Sequence, residues 1–151
     1  MSGLIRLRRV RTPDWYDGLG LELEVPAVPG TAFHLWPQEA WGVAGEAGAN
    51  GDDWEFVRLS HLRDLTEHPD GSVSYRTCGL YLSDVEFAVR IVPGPDVLEI
   101  EYALANRGSR RRYVTIAPCL QLPEDVFGGE ATARRRERVW VVTRESGLTR
   151  I

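Results

Sequence analysis

Two runs of strict alternation separated by a short turn decide what this chain can fold into. Residues 85–91 are Val-Glu-Phe-Ala-Val-Arg-Ile, and residues 98–104 are Leu-Glu-Ile-Glu-Tyr-Ala-Leu. A period of two puts Val85, Phe87, Val89 and Ile91 on one strand face and Glu86, Ala88 and Arg90 on the other. On a helix the same residues would be spread around the whole surface. Pro93-Gly94-Pro95-Asp96 lies between the runs as a tight connection. Two adjacent antiparallel strands with a shared apolar face follow, and such a face needs a second layer.

The rest of the chain supplies that layer. Residues 4–11 alternate loosely and residues 19–25 strictly, with Leu19, Leu21, Leu23 and Val25 opposed to Glu22 and Glu24. Two prolines and Gly30 in residues 26–30 break the ladder, and residues 31–36 start a short strand. Residues 37–53, with glycines at 42, 45, 48 and 51, form an irregular loop long enough to be functional. Residues 54–59 resume as a strand, residues 60–67 make one helical turn, and His68-Pro69-Asp70-Gly71 is a turn. Residues 72–77 and 80–92 are extended. Residues 113–122 form a further strand with Val114 and Ile116 on one side, then come a loop over 123–133 and a last apolar strand over 138–143. Residues 131–138 are the best rival for a helix. The fold class is all-β, an antiparallel β-sandwich of about nine strands in one domain, residues 1–151.

Composition removes several classes of function. No apolar run approaches the roughly 18 residues of a membrane span, and Arg6, Arg8 and Arg9 stand where a signal peptide is apolar. A cytoplasmic chain with no membrane partner is expected. Cys78 and Cys119 lack CxxC spacing and are expected as buried free thiols on strands. All 18 basic residues are arginine, so no lysine is present for a Schiff base or a phosphate loop. The signatures GxSxG, HExxH and GxGxxG after a strand are missing too. Residues 13–106 hold 17 acidic residues against 4 Arg, and the remainder holds 14 Arg against 5 acidic residues. The arginine clusters are not interleaved with aromatic residues, which argues against a nucleic-acid partner.

The candidate site centres on Phe-His-Leu-Trp-Pro-Gln-Glu-Ala-Trp at residues 33–41. Trp36 and Trp41 offer indole faces for a pyranose, while His34 and Glu39 offer hydrogen bonds to its hydroxyls. The alternative is that both tryptophans are core residues and His34 is surface. His61 and Arg63 follow the strand that leaves the long loop and join the candidate set, unless they are a polar connector. Ligation of a metal by His34, Glu39 and His61 in the style of cupins would want two histidines one residue apart, and this segment has one. No metal and no cofactor is expected. The pairs Glu22 with Glu24 and Glu99 with Glu101 look like solvated strand faces.

Residues 66–123 resemble part of a galactose-mutarotase-like β-sandwich, also called aldose-epimerase-like. The resemblance rests on the strand phrase Leu-Glu-Ile-Glu-Tyr-Ala-Leu-Ala-Asn at 98–106, which ends in an asparagine before a short turn. Asn106 suits that place because its side chain caps a turn and tolerates a left-handed backbone. Residues 33–41 are a looser echo of the sugar-facing region. The resemblance implies half of a supersandwich, or a reduced one, since the family fold is about twice as long. It also implies a sugar or sugar-phosphate ligand. Family enzymes pair a histidine acid with a glutamate base, and no such catalytic pair is matched here. The expected function is therefore carbohydrate or polyol binding without catalysis, with homo-oligomer formation through sheet edges. The alternatives are a structural or protein-interaction module and a small cupin-like metal-dependent enzyme.

Overall fold

The structure, a computed structural model, describes residues 4–12, 17–43, 54–79, 83–121, 140–143 and 147–150. Most of the expected glycine-rich loop, the 123–133 loop and the 131–138 helix candidate lie outside the described residues. The chain divides into two compact units, Met1–Gln121 and Leu122–Ile151.

The first unit is an all-β antiparallel sandwich. One sheet holds β1 (Arg6–Val10), β2 (Gly20–Glu24), β3 (Ala32–Val43) and β4 (Trp54–Phe56), with β9 (Val114–Gln121) also on β3. The other runs β5 (Leu62–Glu67), β6 (Val73–Cys78), β7 (Val85–Pro93) and β8 (Leu98–Asn106) in that order. The two alternating runs pair in register from Val85 opposite Asn106 to Pro93 opposite Leu98. Their inner faces meet Leu19, Leu21, Leu23 and Leu35 of the other sheet in one core, where Leu21, Phe87 and Ile91 are wholly buried. Each such side chain contributes about 1.5–3 kcal/mol of transfer free energy.

β1 lies across one end of the four-stranded sheet. Just before it the Ile5 amide donates to the Gly94 carbonyl at 2.9 Å, in the β7–β8 turn, and Arg9 of β1 reaches Glu67 at the end of β5 at 3.9 Å. At the opposite end Asn106 holds the turn into β9. Its Oδ1 accepts from the Gly108 amide at 3.0 Å and its Nδ2 donates to the Arg110 carbonyl at 2.6 Å. The expected cap is thus formed by the side chain, but the left-handed backbone is not. Among the described residues the one non-glycine at positive φ is Asp64.

Two local expectations are corrected. β3 does not stop at Trp36 but continues through Pro37 to Val43, because the ladder with β9 shifts between Trp36 and Ala40. Trp36 faces Cys119 and Ala40 faces Ala117, so Pro37, Gln38 and Glu39 together oppose Pro118. A bulge needs no amide from Pro37, which is why a proline survives mid-strand. Residues 60–67 are not a helical turn either. A single 3-10 turn covers Leu59–His61 and β5 begins at Leu62. No helix among the described residues is long and apolar enough to cross a membrane.

The second unit contains a hairpin of β10 (Trp140–Thr143) and β11 (Gly147–Arg150), with Trp140 opposite Arg150 and Thr143 opposite Gly147. β11 has too little alternation to be picked out in the sequence.

Candidate functional site

β3 carries four of the expected site residues, and its bulge sends them to different surroundings. Trp41 is 1% exposed, and its ring meets Phe87 edge-on with centroids 5.1 Å apart and planes at 68°. Trp36 is 3% exposed. The expected stacking surface is therefore not formed, since neither indole presents a face to a sugar ring. Trp36 precedes the bulge and is buried outside the core between the sheets, whereas Trp41 follows it, where β3 runs on under the four-stranded sheet. There the Tyr75 hydroxyl donates to Gln38 Oε1 at 3.4 Å and the Tyr102 hydroxyl donates to the Pro37 carbonyl. Burial pushes the Tyr102 phenol up to about 12.

Glu39 is half-buried beside Cys119. Burial pushes the Cys119 thiol up, and the Glu39 carboxylate adds to the rise by its charge and by accepting the thiol hydrogen bond. Cys78 and Cys119 are both free and half-buried, less enclosed than expected. His34 is exposed, with Nε2 3.6 Å from Glu22 Oε2. Glu22 in turn accepts from Arg8, whose Nε lies at 3.1 Å, and this bond holds the Glu22 carboxyl below its ordinary range.

His61 belongs to the 3-10 turn. Its Nδ1 accepts from the Arg58 amide at 3.3 Å, and its own amide donates to the Arg58 carbonyl at 2.9 Å. Arg63 is exposed on β5 opposite Arg76. His34 with Glu22 and Glu39 with Cys119 are thus separate pairs, and His61 is engaged in its own turn. Among the described residues no group of three or more histidine, cysteine, aspartate or glutamate side chains is placed to hold a metal.

A concavity lies elsewhere, at the end of the sandwich that β1 crosses. It has a volume of about 970 Å³ and is walled by Leu4, Val28 and the prolines 26, 29, 69 and 93, with Arg6, Glu24, Thr31 and Asp70 as its polar groups. Its floor is fixed by the 68–71 turn. Gly71 takes φ 82°, and Asp70 Oδ1 accepts from the Ser72 hydroxyl at 2.6 Å and the Ser72 amide at 2.9 Å. These bonds hold the Asp70 carboxyl below its ordinary range. Each of these segments is legible as a turn, but only the topology brings the turns to one end.

The edges of the sheets differ sharply in how they are protected. β1 has arginine at three of its five positions, β5 is kinked at Asp64 where its register shifts, and β9 is interrupted at Pro118. All three are recognised devices against strand addition. β8 keeps only charge, at Glu99 and Glu101 on its outer face: its nine residues contain no proline and no basic residue, and its register with β7 is unbroken. Its inner row is also less covered than that of β7. Leu98, Ile100 and Tyr102 are half-buried and Leu104 is 47% exposed, whereas Val85, Phe87, Val89 and Ile91 are buried.

Comparison of the chain with family models, with curated proteins and with solved structures found no match.

Proposed function

We propose that this chain is a non-catalytic protein-interaction module that recruits its partner by strand addition to β8. The observation that carries this reading is the unbroken, proline-free β8 edge with its partly open inner row, where among the described residues the long β5 and β9 edges are interrupted. Strand addition gains backbone hydrogen bonds from the edge and apolar contacts from alternate side chains. β8 offers both, because Leu98, Ile100, Tyr102 and Leu104 alternate along it and remain partly open. Titration of isotope-labelled protein with a synthetic peptide of residues 98–106 tests the reading by nuclear magnetic resonance. Shifts and slowed exchange confined to β8 amides are expected, and a peptide that leaves β8 unperturbed refutes it.

A second reading has its own support. The concavity bounded by Arg6, Glu24, Thr31 and Asp70 is of ligand size, with few hydrogen-bonding groups on an apolar wall. A sugar, sugar phosphate or other polyol is the ligand that the mutarotase-like resemblance suggests for such a cleft. A panel of monosaccharides and sugar phosphates, followed by thermal shift in the wild type and in Arg6→Ala, separates this reading from the first. Stabilisation lost in Arg6→Ala favours it, and no shift from any of them removes it.

A further inference from the structure

We propose that the partner at β8 is a second copy of this chain, paired antiparallel about a twofold axis at Tyr102. The inference rests on the reading of β8 as a docking edge and adds the occupant and its register.

The hydrogen-bond phase of β8 is fixed at both ends. The Gly94 amide donates to the Val97 carbonyl at 2.8 Å, and the Arg107 amide donates to the Asp84 carbonyl at 2.6 Å. Between these brackets the pairs alternate, so Glu99, Glu101, Ala103 and Ala105 bond to β7. Pro93, which has no amide hydrogen, falls opposite Leu98 in a pair that needs none. Leu98, Ile100, Tyr102, Leu104 and Asn106 therefore direct their backbone groups away from β7. Among the described residues β8 is paired with β7 alone.

That outward set is centred on Tyr102, so a twofold antiparallel pair with its axis there pairs every member of it. Tyr102 would bond to the partner copy's Tyr102, Ile100 to Leu104, and Leu98 to Asn106. On the outer face Glu101 would lie opposite Ala103 and Glu99 opposite Ala105, so no carboxylate faces another. Moving the axis to Ile100 sets Glu99 directly against Glu101, a repulsive pair. Moving it to Leu104 carries Leu98 and Ile100 past the end of the partner strand. The Tyr102 register alone uses the whole edge without opposing like charges. It joins two four-stranded sheets into one, with the guarded β5 at each outer end, so the assembly closes at two copies.

The test is the mass of the intact chain across concentration by light scattering or sedimentation. A two-chain mass that dilutes to one chain is expected. Leu104→Lys should weaken association about tenfold or more, while Leu120→Lys, on the exposed end of β9, should not. Register is read without relying on either variant. In a background of Cys78→Ser and Cys119→Ser, Glu101→Cys and Ala103→Cys chains mixed together should form a disulfide between them, because non-bonded pairs bring Cα atoms to about 4.5 Å. A one-chain mass at every concentration overturns the proposal, as does a dimer indifferent to Leu104→Lys or a mixture that fails to cross-link. A chain that binds the 98–106 peptide yet stays monomeric keeps the docking reading and overturns this one.

Discussion

Trp41→Ala separates a core indole from a ligand-facing one. The side chain is 1% exposed, and full burial of a tryptophan removes about 150–250 Å² from water. At about 25 cal/mol per Å² this amounts to about 4–6 kcal/mol, an upper bound because the unfolded chain already hides some of it. The edge-on contact with Phe87 adds about 0.5–1.5 kcal/mol, and alanine keeps part of the total. The expected net loss is about 3–5 kcal/mol, the range of buried aromatic truncations. For a unit of this size that lowers Tm by about 10–20 °C. Urea and thermal unfolding followed by circular dichroism read it, with His34→Ala, on the surface, changing stability by at most about 0.5 kcal/mol. Gly79→Ala tests the same packing from the other side. Its Cβ would lie 2.1 Å from Trp41 Cζ2, and overpacking against a fixed ring costs about 1–3 kcal/mol. A loss under about 1 kcal/mol for Trp41→Ala would refute the core assignment and restore the indole as a binding surface.

Tyr102→Phe removes the hydroxyl that bonds to the Pro37 carbonyl and should cost about 0.5–1.5 kcal/mol. The folded phenol titrates near 12 against an ordinary 10. The unfolded state therefore loses its proton first, and the stability this group contributes is complete below pH 10 and lost as pH rises toward 12. Alkaline unfolding of wild type and variant should converge over that interval. Gly71→Ala places a Cβ 3.6 Å from Pro93 Cγ, an ordinary contact, so its cost is the left-handed backbone, about 1–2 kcal/mol, and Gly71→Asn should cost less. In Cys78→Ser protein, Cys119 should react slowly with a thiol reagent at neutral pH, and Glu39→Gln should speed the reaction by lowering the thiol pKa. An unchanged rate would mean that Glu39 does not hold the thiol. The Asp70 carboxyl is held below its ordinary range, so the stability it contributes is present above that range and is lost as pH falls through the lowered value. Asp70→Ala should flatten the acid limb of unfolding.

The sandwich was legible where strand period alone decides the outcome. Leu21, Phe87, Val89 and Ile91 are buried where alternation puts them, and β7 pairs with β8 across the Pro93 to Asp96 turn as the sequence implies. β3 was not legible past Trp36, because a proline in a strand reads as a stop until a partner strand accommodates it in a bulge. Trp41 illustrates the limit for the site. An indole beside a histidine and a glutamate has the same local sequence whether it packs against Phe87 or faces solvent, and the partner sheet alone decides which. The concavity lined by prolines 26, 29, 69 and 93 depends on turns far apart in the chain meeting at one end, which no local pattern encodes. The β8 edge falls between these cases. Its lack of proline and arginine is visible in the sequence, but its place at the border of a sheet is not.

Amide hydrogen exchange along β8, residue by residue and as a function of protein concentration, tests the docking edge most directly. The amides of Glu99, Glu101 and Ala103 face β7 and should be protected at every concentration. Those of Ile100, Tyr102 and Leu104 should exchange fast in dilute protein and become protected as concentration rises. If these outward amides exchange at the unprotected rate throughout, β8 is an ordinary solvated edge and the interaction reading is contradicted.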